Sequence, residues 1–305
     1  MLIPLFSFLN FHYLYYMNNT DFLEFNDISF TYPAVEGDLD ENGNQIEMKP
    51  IFEHFSASLP KGFVSFVGQN GCGKSTLMLL ASGRLTPQNG SVSLLGKNPA
   101  ALDDEQKNLL ASVIYQNMEF ETEDKVSELL SYVYQNGALK GKASAIRTAP
   151  AMSDKAETSL LNEVIDIFEL KAVLDHPLTH LSKGEIQRVL LAFGILYGSE
   201  SIFMDEPLFA LEPHQKEAAL AYLKEFVHKT GKTIYISMHE LDLTKKYADT
   251  VLLFYPNRDM ALGTPEEVLT RDEVEKAYGV PYAMLKDHEN LSREYLNSLS
   301  QTKKE

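Results

Sequence analysis

A glycine-rich stretch that ends in a lysine and a hydroxyl could bind phosphate groups. Residues 68–75 fit the pattern G-x-x-x-x-G-K-[ST], which ends here in Lys74 and Ser75. Glycines allow successive backbone N–H groups to point at one anion, and the helix that follows adds its positive end. Lys74 would supply a charge for the β- and γ-phosphates, and Ser75 an oxygen for Mg²⁺. An apolar run precedes the stretch and an amphipathic helical pattern follows it, so the context also predicts a phosphate loop.

Two adjacent carboxylates, Asp205 and Glu206, form a second chemical group. They follow the apolar run Ser201–Met204, which is typical of a buried strand. In a parallel sheet, the carboxyl end of a strand opens onto the ligand crevice. The position predicts that Asp205 binds Mg²⁺, directly or through water, and that Glu206 accepts a proton from an attacking water.

A third segment combines a helix cap with a possible anion site. Ser182 precedes an amphipathic helical pattern, and Glu185 follows three residues later, as in a capping box. A helix N-terminus of this kind can bind an anion. Taken alone, the segment is a common structural cap, but it lies shortly before the strand that carries the paired acids.

These groups need elements to position them, and the hydrophobic pattern indicates an α/β fold. Strand and helix patterns alternate, which predicts a mostly parallel sheet. From Asn117 to Leu181 helical patterns dominate, which indicates a helical insert in an α/β core. The alternation over Leu23–Tyr32 slips by one residue and predicts a bulge in an edge strand. The acidic segment 34–50 fits a hairpin turning at Asn42-Gly43 better than a calcium loop, because its twelfth position is Lys49.

Composition restricts the class of partner. The 305 residues include 27 Lys plus Arg and 43 Asp plus Glu, which gives a formal net charge of -16. This balance opposes nucleic acid as the main partner. The single cysteine, Cys72, cannot form an intramolecular disulfide, which suits a reducing compartment.

The first residues do not predict a membrane span. No run reaches the roughly 18 apolar residues that a spanning helix needs. Residues 2–16 lack a basic region and a small-residue cleavage site, so they do not fit a signal peptide. They could be an added strand or helix, an interfacial segment or a start-site artefact before Met17, and we favour the artefact.

Taken in order, the motifs resemble those of the ATP-binding subunit of ABC transporters. Gly68–Thr76 is similar to the Walker A motif, Ser201–Glu206 to Walker B, and Leu181–Glu185 to the LSGGQ signature. Gln116 matches the Q-loop glutamine, His239 the switch histidine, and Tyr32 the aromatic residue that stacks on adenine. The resemblance covers residues 22–261.

The resemblance implies a P-loop NTPase core with a mostly parallel sheet, an antiparallel β subdomain and an inserted α-helical subdomain. It implies an ATP-binding domain over residues 22–286 with the helical subdomain at about 117–181. An N-terminal extension, 1–21, and a polar tail, 287–305, flank this domain.

The resemblance also implies ATP hydrolysis with Mg²⁺ and assigns the site. The catalytic residues would be Glu206, His239, Lys74 and Gln116, and the Mg²⁺ ligands Ser75, Gln116 and Asp205. The nucleotide-binding residues would be Tyr32, Gly68, Gln69, Asn70, Gly71, Cys72, Gly73, Lys74, Ser75, Thr76, Ser182 and Gly184.

Three residues depart from the family motifs. Lys183 replaces a glycine and Glu185 a glutamine in the signature, and Glu212 replaces an aspartate in the D-loop, Phe209–Glu212. Because Ser182 and Gly184 remain, we expect a working signature. The longer side chain of Glu212 puts the coupling geometry between subunits in question.

The partners implied are a second copy of the chain or a homologous ATPase subunit, separate transmembrane permease subunits and a substrate-binding protein. The implied location is peripheral, on the cytoplasmic face of the membrane, and nucleic acid is excluded.

The segment from Gly263 to Val280 resembles importers of iron complexes, haem and cobalamin. The alternatives are an energy-coupling-factor importer of vitamins or metals and a soluble ABC ATPase. The acidic segment 117–124 could dock a permease helix or be a solvated loop.

Overall fold

The computed structural model describes residues 23–34, 48–116, 118, 120–147 and 159–285. Within them the strands are β1 (Leu23–Phe30), β2 (Phe52–Leu59), β3 (Phe63–Val67), β4 (Asn89–Leu94), β5 (Ala111–Ile114), β6 (Ser201–Met204), β7 (Thr233–Ser237), β8 (Thr250–Phe254) and β9 (Met260–Gly263). The α-helices are α1 (Lys74–Ala81), α2 (Asp104–Leu110), α3 (Val126–Asn136), α4 (Leu160–Ile167), α5 (Lys183–Tyr197), α6 (Pro213–Thr230), α7 (Leu241–Tyr247), α8 (Pro265–Val268) and α9 (Arg271–Tyr278).

A six-stranded sheet in the order β5-β6-β7-β3-β8-β9 forms the centre of the fold. Its first five strands are parallel, and β9 pairs antiparallel with β8. Strands β3, β6 and β7 are buried along their whole length, as expected of a sheet covered on both faces. Their carboxyl ends lead into the phosphate loop, the paired acids and His239, so the chemical groups meet at one edge.

The smaller sheet is antiparallel, in the order β2-β1-β4. The predicted bulge is present, because the register of β1 shifts between Phe25 and Ile28, where Asp27 has a φ of 52°. The prediction that this strand lies at an edge is wrong, since β1 pairs with both β2 and β4. Alternation reveals that one face of a strand is buried, but it carries no information about how many neighbours the strand has.

Two apolar clusters hold the central sheet in place. On one face, Val64, Phe66 and Phe203 pack with the antiparallel sheet and α1. On the other face, buried residues of β3, β6 and β7 pack with the helices, including Ile202 and Ile234. The phosphate loop is therefore fixed on a strand that is packed from both sides.

Helices dominate between β5 and α5, as predicted. This region contains α3, α4 and two short 3₁₀ turns at Lys171–Val173 and Leu178–His180. The predicted faces are buried at Val126, Leu130, Leu160 and Val164. The limits of the helical subdomain, at about 117 and 181, remain a prediction.

Several predictions concern residues outside the described part of the chain. They are the N-terminal extension, the hairpin or calcium loop around Asn42-Gly43, and the polar tail from residue 287. Among the described residues, no helix is both long enough and apolar enough to cross a membrane.

Candidate nucleotide-binding site

The phosphate loop folds around the side chain of Lys74. This ammonium group donates hydrogen bonds to the carbonyl oxygens of Gly68 (2.8 Å) and Gln69 (2.9 Å). The residue is 5% exposed, so its charge is directed into the loop. Gly73 has a φ of 103°, and a Cβ there would lie 3.1 Å from the ring of Phe52. A glycine at this position therefore lets the chain enter α1 without strain or steric overlap.

The remaining loop residues differ in exposure. Ser75 is exposed, whereas Thr76 is buried and shares a hydrogen bond of 3.1 Å with the Tyr32 hydroxyl. The structure thus places Tyr32 beside the start of α1. Burial raises the pKa of the Cys72 thiol, so this side chain stays neutral at neutral pH. Asn70 and Gly71 complete the loop.

A buried hydroxyl connects the paired acids to the neighbouring strand. The Ser237 Oγ donates to the Asp205 carboxylate (2.7 Å) and accepts from the Glu206 backbone N–H (2.7 Å). Ser237 is not among the site residues predicted from the sequence. Its role becomes visible only from the parallel register of β6 and β7, where Met204 pairs with Ile236 immediately before Asp205 and Ser237.

Gln116 and His239, which are distant in sequence, meet at Glu206. The Gln116 amide donates to one carboxylate oxygen (2.6 Å), and His239 Nε2 lies 2.7 Å from the other. Glu206 has a φ of 47°, a conformation that costs a non-glycine residue about 1–3 kcal/mol. The hydrogen bond from His239 lowers the pKa of Glu206, with a smaller contribution from the charge of Lys74, and both oppose the effect of burial. Glu206 is therefore ionised at neutral pH and can accept a proton.

The signature segment, Leu181–Glu185, forms a self-contained cap on α5. Glu185 accepts hydrogen bonds from the Ser182 hydroxyl (2.7 Å) and backbone N–H (2.8 Å), and these lower the pKa of Glu185. A Cβ on Gly184 would lie 2.8 Å from the carbonyl oxygen of Ala210. The glycine therefore permits close approach of the D-loop.

The residues predicted to hold Mg²⁺ fit that ion chemically. Ser75, Gln116 and Asp205 offer a hydroxyl, an amide and a carboxylate oxygen, which are ligands that Mg²⁺ accepts. The described residues contain no cluster of three or more His, Cys, Asp or Glu that could hold a metal. A site with one carboxylate agrees with this, because nucleotide phosphates normally complete the coordination of Mg²⁺.

Comparison with known proteins establishes the family. Residues 52–209 match the model of the ABC transporter family. An ABC transporter ATP-binding protein of Methanosarcina mazei is 34% identical over 221 residues, which are 71% of this chain and 46% of that protein. The chain belongs to the ABC transporter family. It spans about half the length of the Methanosarcina relative.

Two further comparisons extend this result. The petrobactin import ATP-binding protein YclP of Bacillus subtilis is 27% identical over 234 residues, which are 75% of this chain and 87% of YclP. A solved structure of an ATP-binding subunit of an ABC transporter superposes with a TM-score of 0.63. The superposition covers 87% of this chain and 98% of the other at 23% identity. The predicted fold class is thereby confirmed.

Proposed function

We propose that this chain hydrolyses ATP to power an ABC transporter that imports a metal chelate, haem or cobalamin. The observation that carries the proposal is the position of Glu206, held between Gln116 and His239 at the sheet edge that also bears the phosphate loop. Import and the cargo class rest on the similarity to YclP and on the sequence from Gly263 to Val280.

In this proposal Tyr32 stacks on adenine, and residues 68–76 bind the phosphates through backbone N–H groups and Lys74. Ser75, Gln116 and Asp205 hold Mg²⁺, which would neutralise phosphate charge when bound. The location of Tyr32 against Thr76 supports its role, since it places an aromatic ring beside the helix that receives the phosphates.

Glu206 is the proposed general base. Its lowered pKa keeps the carboxylate ionised, so it can accept a proton from a water molecule. His239 orients this carboxylate and would hold the γ-phosphate. Ser237 fixes the backbone on which both acids lie. These contacts pre-position the base before substrate arrives, which is the condition for efficient proton transfer.

Gln116 would transmit the nucleotide state of the site to the helical region. Its side chain contacts Glu206, while its backbone carbonyl accepts a hydrogen bond from Gln187 on α5 (3.2 Å). A change at Glu206 can therefore alter the start of the segment that leads to α3. This link supports Gln116 as the hinge between nucleotide and helical subdomain.

The proposed assembly pairs two ATPase subunits head to tail on a separate transmembrane permease at the cytoplasmic face of the membrane, with a substrate-binding protein outside. Ser182 and Gly184 would contact the γ-phosphate of the partner's ATP. The permease would dock near residues 118–124. Met118 and Phe120 are half-buried against the core, whereas Glu121, Glu123 and Asp124 are exposed, so these three carboxylates supply the outward surface there.

The test is Glu206→Gln in the full chain, assayed for phosphate release and ATP binding. We expect hydrolysis to fall roughly 10²- to 10⁴-fold while ATP binding persists, because the amide keeps the shape but loses the base. Glu200→Gln is the matched control, since Glu200 is an exposed residue that pairs with Lys232. Near-parental hydrolysis by Glu206→Gln would refute the assignment.

The transport role needs a separate test. The native membrane complex should be isolated through this chain and its other subunits identified. Recovery of an integral membrane protein with many apolar spans is expected. Recovery of the chain without such a partner would favour a soluble ATPase.

A further inference from the structure

The Gln215 side chain bridges two parts of the molecule that the proposed mechanism leaves unconnected. It lies in the first turn of α6. Its amide nitrogen donates to the Glu169 carboxylate (2.7 Å), and its amide oxygen accepts from the Glu212 backbone N–H (3.2 Å). Glu212 ends the D-loop, and Glu169 follows α4 in the helical region. One side chain therefore joins the D-loop to the helical region.

The Glu169 end of this bridge is fixed to α5. The Arg188 guanidinium donates to the carbonyl oxygens of Phe168 (2.9 Å) and Glu169 (2.8 Å) and lies 3.6 Å from the Glu169 carboxylate. Arg188 belongs to α5, three residues after Glu185. The end of α4 and the signature helix consequently form one block, and Glu169 extends from it to Gln215.

The D-loop is hydrogen-bonded to the backbone of Glu206, the proposed general base. The Phe209 backbone N–H donates to the carbonyl oxygen of Glu206 (3.3 Å). Ala210 packs against Gly184, where a Cβ would be only 2.8 Å from the Ala210 carbonyl oxygen. A shift of the D-loop would therefore disturb the signature and the backbone of the base together.

We infer that Gln215 is a positioning residue that fixes the D-loop relative to the helical region and thereby sets the geometry between Glu206 and the signature. This inference rests on the proposed function. The Glu169 side chain is 51% exposed, and exposed polar pairs contribute little to folding stability. Removal of the bridge should therefore change the reaction more than it changes the fold.

The experiment uses the full chain with Gln215→Leu, which removes both hydrogen bonds at similar size. We expect kcat to fall about tenfold, because small displacements of catalytic groups cost one to two orders of magnitude. KM for ATP should stay within about twofold, since the phosphate loop is untouched. The melting temperature should fall by only a few degrees, because Gln215 also completes the capping box of α6 with Glu212.

A swapped pair separates positioning from packing. Gln215→Glu alone places two carboxylates together and should lower kcat at least as far as Gln215→Leu. Adding Glu169→Gln to this variant places an amide donor at position 169 opposite the carboxylate at position 215. That carboxylate can also still accept from the Glu212 N–H, so kcat should recover to within about threefold of the parent. A residue that merely fills space would give no such recovery.

The control is Glu225→Gln on the same helix. Glu225 also ties α6 to the helical region through Arg147 (2.8 Å), and it pairs with Lys229 within α6 (2.7 Å), but it lies ten residues beyond Gln215. The kcat of Glu225→Gln should match that of the parent. Parental kcat in Gln215→Leu, or a swapped pair that stays slow at an unchanged melting temperature, would overturn the inference. A parent chain without ATP hydrolysis would instead overturn the proposed function.

Discussion

The N-termini of helices α1 and α5 could each bind an anion, but they differ in what already occupies them. Helix α1 begins at Lys74, has no acidic residue in its first turn and has no side-chain cap. Helix α5 is capped by Ser182, and Glu185 in its first turn accepts from both the hydroxyl and the backbone N–H of Ser182. The positive end of α1 can act on an external phosphate, whereas that of α5 is occupied by the chain's own carboxylate.

The difference indicates why one end can bind nucleotide alone and the other needs a second subunit. A phosphate at α1 finds an ammonium group and unopposed N–H donors. A phosphate at α5 must compete with Glu185 for the Ser182 hydroxyl. We expect such competition to succeed only when a partner holds the nucleotide in place, which agrees with the head-to-tail assembly proposed above.

Among the tests of this comparison, the largest effect is expected from Lys74→Met. Loss of the ammonium group should weaken ATP binding roughly 10- to 100-fold, because hydrogen bonds to charged groups contribute about 1.5–3 kcal/mol each. Equilibrium titration of the monomeric chain with ATP measures the change. Ser182→Ala is the matched substitution at the other helix and should leave monomer affinity unchanged. Equal losses in the two variants would mean that both N-termini serve the same bound phosphate, and the comparison would fail.

A smaller effect is expected from Glu185→Gln. This substitution removes the negative charge that competes at α5 while keeping a capping side chain. ATP-dependent dimerisation should strengthen about two- to five-fold, the range for one charge at a helix terminus. Sedimentation velocity with ATP, in a Glu206→Gln background that prevents turnover, measures the association. Unchanged or weaker dimers would show that Glu185 does not oppose the partner's phosphate.

The smallest effect concerns pH and stability. The bonds from Ser182 lower the pKa of Glu185, so the ionised form stabilises the native state above the ordinary glutamate pKa of about 4.3. This contribution is lost as the pH falls through the folded-state value. The free energy of unfolding of the parent should exceed that of Glu185→Gln by about 0.5 kcal/mol at pH 7. Urea titrations at neutral and acidic pH measure both proteins, and a difference that grows towards acid would contradict the assignment.

The sequence predicts most of this site because its chemistry lies in short contiguous motifs. The phosphate loop needs its glycines, Lys74 and Ser75 at fixed spacing, and the apolar run before Asp205 and Glu206 identifies the strand that presents them. The alternation of strands and helices then brings Gln116 and His239 to the same edge, because parallel strands end together.

Features that depend on pairing between distant segments were not predictable. The central position of β1 depends on β4, whose paired residues lie 60 to 71 positions further along the chain. The role of Ser237 follows from the register of β7 against β6. The contact between Gln215 and Glu169 depends on how α4 packs beside α6. Gln215 forms a capping box with Glu212, but this local pattern contains no information about Glu169. Local periodicity contains no information on such partners.

The Ser237 hydroxyl has a mechanical consequence. Strand β7 ends at Ser237, and His239 follows two residues later. The same strand end therefore binds the Glu206 backbone N–H and the Asp205 carboxylate through Ser237, and contacts the Glu206 carboxylate through His239. Asp205, Glu206 and His239 are therefore held as one rigid block. We expect the site to open and close by movement of the phosphate loop, Gln116 or the partner against that block, with the spacing between acid and histidine preserved through each cycle.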